Sequence, residues 1–162
     1  MLIVIKRKDG GVSIMKLSGQ TAAAYDAAPE HGDIIIEKEI EQWEATQHDH
    51  EKSISWRIMP DDAIPNDDTF SGAWTDTTSE LKIDIDMNKA KEIHRGRMRE
   101  ARASLLASLD INYMRADEIG DTIKKQTIVA QKQELRDVTK HSDIDKAITP
   151  EQLKTIWPRC LG

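Results

Sequence analysis

Cysteine is nearly absent from this chain: one residue in 162, Cys160. A single thiol closes no internal disulfide and builds no zinc site by itself, so a disulfide-stapled secreted scaffold is excluded. Aromatic residues are scarce too, at 4%, with one Phe, two Tyr and four Trp. That thins the supply of large core-filling side chains and removes the interleaved aromatic platform on which single-stranded bases stack. No run approaches the ~18 apolar residues of a membrane-spanning helix. The apolar start, Leu2 to Ile5, is too short for a signal-peptide core, and its charges follow it instead of preceding it. These absences predict a soluble chain that stays in the cytoplasm.

The motifs of common chemistry are missing as well. There is no G-x-G-x-x-G, no G-x-x-x-x-G-K-[ST] and no G-x-S-x-G, and Gly10-Gly11 reads as a turn and not as a phosphate cradle. Cys160 stands three residues from the end, whereas a catalytic thiol needs a lowered pKa and a fixed partner. His48-Asp49-His50, beside Glu44 and Glu51, has the right atoms for a divalent cation, but in an acidic loop this reads as solvated surface. The pairs Asp61-Asp62 and Asp67-Asp68 lack the alternating ligands, central Gly and twelfth-position Glu of an EF-hand loop. The expectation is therefore no catalytic centre, no cofactor and no metal.

The charge is unevenly spread. Residues 1–80 carry 7 Lys/Arg and 16 Asp/Glu, a net −9, and residues 81–162 carry 16 and 13, a net +3. Two segments of different character fit this split, a β-rich domain over 1–80 and a helical one over 81–162. An overall acidic chain is a poor binder of nucleic acid by bulk charge, because phosphate affinity comes from clustered Lys and Arg.

Local patterning supports an α+β fold. The β-branched run at 2–6, the turn Asp9-Gly10-Gly11 and the segment Val12 to Leu17 predict a hairpin. Thr21–Ala28 suits one or two helical turns, stopped by Pro29 to Asp33. Ile34-Ile35-Ile36 reads as a strand core, and Glu37–Glu51 fits strand, helix or loop. Ser53 to Met59 alternates with period two, placing Ile54, Trp56 and Ile58 on one strand face. Met59 to Ser71 is loop by composition, Thr75 to Glu80 a turn, and Lys82 to Asp86 a short strand with Ile83 and Ile85 on one face.

Beyond Asp86, a good N-cap, the period changes. Ala90, His94, Met98, Ala101, Leu105 and Leu109 fall at steps of 4, 4, 3, 4 and 4, so a long amphipathic helix over 87–109 is expected to bury Met98, Ala101, Leu105 and Leu109. His94 on that face reads as a packed histidine whose ring nitrogens are satisfied by neighbours. Asn112 to Ile119 continues or restarts the helix, Gly120-Asp121 stops and restarts it, and Thr122 to Val138 forms another. Residues 139–148 read as a polar linker. Thr149-Pro150-Glu151-Gln152 opens a last short helix in a capping-box pattern, and Trp157-Pro158 ends it.

Two features suggest a partner surface. Lys91, Arg95, Arg99 and Arg102 form a basic stripe beside the apolar helix face, suited to an acidic partner. Phe70 and Trp74, in Phe70-Ser71-Gly72-Ala73-Trp74, and Trp157 are large aromatics of the kind that anchor interfaces, or that seal the helical part against the β part.

Three stretches carry a family resemblance. They are "DDTFSGAW", then "IDIDMNKAKEIHRGRMREARASLLASLDINYMRADEIGD", then "IVAQKQELRDVT" with "TPEQLKTIWP". Through them residues 69–161 resemble phage tail assembly chaperones and tail-fibre-assembly proteins, and "IKRKDGGVSIM" is similar to a hairpin that opens many such proteins. The resemblance implies a non-enzymatic role in tail or tail-fibre assembly. The partner would be another phage tail or fibre protein, met in the bacterial host's cytoplasm, with no membrane or nucleic acid involved and self-association left open. A minor structural component of the virion tail, or a phage-encoded inhibitor or regulator of a host system, stands as the alternative. Residues 18–60 match no partner-specific pattern.

Overall fold

The structure is a computed structural model, and it describes residues 2–77 and 81–162. The expected α+β class is observed, in two compact units, Met1–Asp86 and Met87–Gly162. The expected turn at 75–80 is only partly covered, since 78–80 lie outside the described residues; Thr75 itself belongs to a strand.

In the first unit β1 (Leu2–Arg7), β2 (Val12–Lys16) and β3 (Ser53–Met59) form an antiparallel sheet in the order β2-β1-β3. The hairpin register pairs Val4 with Ile14, and β3 sets Ile5 opposite Trp56. At the turn, Gly10 takes a φ of 77°, which glycine adopts without a Cβ penalty, and Asp9 Oδ1 accepts from the Gly11 amide at 2.9 Å. Leu2 to Ile5 are all buried, as a central strand covered on both faces requires. On one face Ile3 and Ile5 pack with Leu17, Ile36, Ile40, Trp56 and Ile58. On the other, Leu2 and Val4 pack with Val12, Met59, Ala63 and Ile83.

The first face is covered by α1 (Gly19–Ala27) and α2 (Gly32–Glu44). Here the strand expected at Ile34–Ile36 is corrected to helix. Ile36, Ile40 and Trp43 recur at helical spacing and turn to the sheet, while Ile34 is left 63% exposed. Ile54 departs from expectation as well: Trp56 and Ile58 reach the core, but Ile54, near the strand's start, is 62% exposed. The other face is covered by Ala63, Ile64, Trp74 and Ile83, and beside it β4 (Trp74–Thr75) pairs with β5 (Asp84–Ile85). Arg57 grips Asp76 with two guanidinium nitrogens, Nε at 3.0 Å, and so ties β3 to the end of β4.

The second unit is helical. α3 (Met87–Glu118) is one unbroken helix of 32 residues, longer than the expected 87–109 because the stretch read as Asn112 to Ile119 continues it as far as Glu118. The turn follows the sequence signal: Gly120 has φ 71°, and Asp121 caps α4 (Thr122–Asp137) by accepting from the Lys124 amide at 2.9 Å. The polar linker expected at 139–148 is corrected: α5 (Ser142–Lys146) lies within it and buries Ile144 completely. In α6 (Pro150–Thr155), Thr149 accepts from the Gln152 amide, and Gln152 reaches back to the Ile148 amide, one residue before the cap. Along α3 the fully buried positions are Ala90, His94, Met98 and Ala116. Of the four positions expected to be core, only Met98 is buried; Ala101, Leu105 and Leu109 are half-buried.

Candidate interaction surface

The residues expected to meet a partner fall into both units. Phe70 and Trp74 belong to the first, and Lys91, Arg95, Arg99, Arg102 and Trp157 to the second. Phe70 is 2% exposed and opens the 3₁₀ turn Ser71–Ala73. Trp74 packs half-buried on the Leu2–Val4 face of the sheet, and its indole N–H is buried without an acceptor.

The basic stripe is largely spent inside its own unit. Lys91 Nζ donates to the Asp145 carbonyl at 2.7 Å. Arg95 is held by the Glu92 carboxylate at 2.6 Å, by the Asp145 carboxylate and by the Thr139 carbonyl at 3.3 Å. Burial works against its charge, but the hydrogen bonds to Asp145 and Glu92 outweigh that and hold the guanidinium above its ordinary pKa. Arg102 Nη1 donates to the carbonyls of Leu135 and Arg136, at 3.2 and 2.8 Å. Those carbonyls end α4 and have no intrahelical donor, so a cation there satisfies both hydrogen bonding and the helix dipole. Arg99 differs: its side chain is 51% exposed and only 4.0 Å from Glu92.

His94 completes the fastening. Its Nε2 lies 2.8 Å from the Ile156 carbonyl at the end of α6, and its ring meets Trp157 edge-on at 6.0 Å. The packed histidine expected from the sequence is what stands here. Trp157 in turn donates its indole N–H to the Gly162 carbonyl at 3.1 Å and keeps 40% of its surface exposed. Lys91 and Arg95 therefore fasten the stretch after α4 to α3, Arg102 fastens the end of α4 to it, and Arg99 and Trp157 remain accessible.

A groove that sequence reading missed lies between α3 and α4. It measures about 320 Å³ and is lined by Leu105, Ser108 and Leu109 from α3, Gln131, Glu134 and Leu135 from α4, and Cys160. The 3₁₀ turn Arg159–Leu161 carries Cys160 there. Burial, then the neighbouring Glu134 carboxylate, push its thiol pKa up, which keeps it protonated and poorly nucleophilic. No sequence signal marks this groove, because Cys160 meets residues from Leu105 to Leu135, far upstream of it.

Elsewhere, His48 and His50 stack with ring centroids 5.8 Å apart, and Asp49 between them pairs with Lys8 at 3.3 Å. Among the described residues no three or more His, Cys, Asp or Glu side chains converge as a metal centre requires. No helix among them is long and apolar enough to cross a membrane. Compared with known protein families, with curated proteins and with solved structures, the chain finds no match.

Proposed function

We propose that the chain is a non-enzymatic assembly protein of a tailed phage or prophage, acting in the host cytoplasm by binding another tail or tail-fibre protein. The observation that carries this reading is the way the resembling stretches are used. The run from Ile83 to Asp121, "IVAQKQELRDVT" and "TPEQLKTIWP" supply α3, α4 and α6, and Lys91, His94, Arg95 and Arg102 tie the segments after α3 back onto it. Residues of one motif thus serve one compact scaffold, and the accessible Arg99, Trp157 and the Leu105–Leu109 groove are surfaces on which such a scaffold meets a partner. Ordinary protein recognition needs only such surfaces and no perturbed acid–base pair.

Affinity purification of the tagged chain from phage-producing cells tests the reading. A tail or fibre protein should co-purify at fixed stoichiometry, and its yield should fall with Arg99→Glu plus Trp157→Ala while circular dichroism is unchanged. Recovery of no phage protein, or tight binding to DNA or RNA at physiological salt, would overturn it. Mass spectrometry of mature particles separates a departing chaperone from a virion component.

A further inference from the structure

We propose that the α3–α4 hairpin is a self-docking surface: two copies pack antiparallel into a four-helix bundle, with Ile119 and Ile123 of each seated in the Leu105–Leu109–Cys160 groove of the other. This is independent of the identity of any phage partner.

The two sides of the hairpin differ. One carries a charge ladder, Asp110 with Lys132 and Asp117 with Lys125, and Lys132 also sits 5.1 Å over the Tyr113 ring. The groove side carries no such ladder; its charges are Arg115 and Glu134, set among neutral residues. From Ser108, Asn112, Arg115 and Ile119 follow at steps of 4, 3 and 4. On α4, Ile123, Thr127, Gln131 and Glu134 follow at steps of 4, 4 and 3. Helical periodicity puts Ser108, Asn112 and Arg115 on one face of α3 and the four α4 residues on one face of that helix, and the residues lining the groove fix which face that is; Ile119 follows directly after α3, in the turn. At its turn end this side exposes Ile119 and Ile123 to 74% and 79%, and at its other end it has the groove. A knob and a hole thus stand on one face.

Their spacing suits a two-fold axis. Ile119 lies eleven residues from Ser108, and Ile123 eleven from Glu134, about 16 Å in each helix at 1.5 Å per residue. A second copy turned end for end therefore brings both isoleucine pairs over both grooves at once, as an isologous interface requires. The charges agree. Arg115 and Lys124 stand toward the turn and Glu134 at the groove, and none has a salt-bridge partner among the described residues. Antiparallel docking sets Arg115 of one copy within about one helical turn of Glu134 of the other, twice over.

The area suffices for weak association. From Ala101 to Ile119 the face runs about 27 Å and is about 20 Å wide. Two copies then bury on the order of 1,000 Å² in total, the lower bound of a specific interface, so dissociation in the micromolar range is expected.

Sedimentation velocity from about 5 to 200 µM reads the association directly. The wild type should pass from monomer to dimer across that range. Ile123→Asp should stay monomeric, and Arg115→Glu should weaken association about tenfold, with Glu134→Arg restoring it. Because these side chains are exposed, helicity should not change. Ile119→Cys should form a disulfide-linked dimer with Cys160 under mild oxidant, since within one chain the two are too far apart to bridge. A wild type that stays monomeric at 200 µM, or a dimer indifferent to Ile123→Asp, would overturn the proposal.

Discussion

The two units are held together by different means. The first is organised around one strand: Leu2, Ile3, Val4 and Ile5 are all buried, and each face of the sheet closes its own apolar cluster. The second has a helix with five times as many residues as β1, yet only Ala90, His94, Met98 and Ala116 of it are fully buried. Ile128, Leu135, Val138, Ile144, Ala147 and Leu153 are buried in the segments after it, and polar side chains on α3 donate to backbone carbonyls of those segments. A sheet buried on both faces turns a short apolar run into a core. A hairpin of helices buries one stripe per helix, and here short C-terminal segments add single buried residues such as Ile144 and Leu153 while charged residues of α3 bind their carbonyls.

This contrast is open to direct test. The largest effect is expected in the sheet: Val4→Asp places an unpaired carboxylate between apolar neighbours and should cost about 3–5 kcal/mol, read as lost strand signal and a lowered melting temperature. His94→Ala should come next at about 2 kcal/mol, since it leaves the Ile156 carbonyl without its donor and opens a small void; chemical denaturation measures it. Smaller again is Arg102→Ala, about 1 kcal/mol from uncovering the carbonyls that end α4, whereas Arg99→Ala should change stability by less than about 0.5 kcal/mol. Equal effects of the two would mean that the stripe is uniformly solvated and that the polar fastening does not matter.

The smallest effect sharpens the comparison from the sheet side. Glu44, at the end of α2, accepts from the Ser53 hydroxyl and from the Ser53 amide at 2.8 Å. The Ser53 hydroxyl, then its amide, hold the Glu44 carboxyl below the usual 4.5. A depressed carboxyl contributes stability above its unfolded pKa and loses it as pH falls through the folded one. Melting temperature should therefore drop as pH is lowered below about 4, and Glu44→Gln should flatten that acid limb while lowering stability slightly at neutral pH.

Several elements were legible because their causes are local. Gly10 and Gly120 take positive φ where Asp-Gly and Gly-Asp signals stand, Asp121 and Thr149 cap the helices that begin after them, and the strand read over Ser53–Met59 has the bounds of β3, though Ile54 leaves the apolar face. Three consecutive β-branched residues at Ile34–Ile36 misled the same reasoning. Their propensity favours a strand, but the sheet face needed a helix whose Ile36, Ile40 and Trp43 meet Ile3 and Ile5. Ile144 was equally hidden, since one apolar residue in a polar stretch carries no period.

By itself, then, the sequence determined the α+β class, the change of character near residue 86, the hairpin, the presence of the long helix and the caps at Asp121 and Thr149, since each depends on interactions within a few residues. Tertiary structure alone decided what the basic stripe does and where the groove lies. Lys91 reaches Asp145 across 54 positions and His94 reaches Ile156 across 62. A guanidinium or ammonium on an exposed helix face has the same local signature whether it awaits a partner or holds a carbonyl of its own chain. Only the path by which the last 40 residues fold back onto α3 settles which carbonyls come within hydrogen-bonding distance, and with them which charges are left for another molecule.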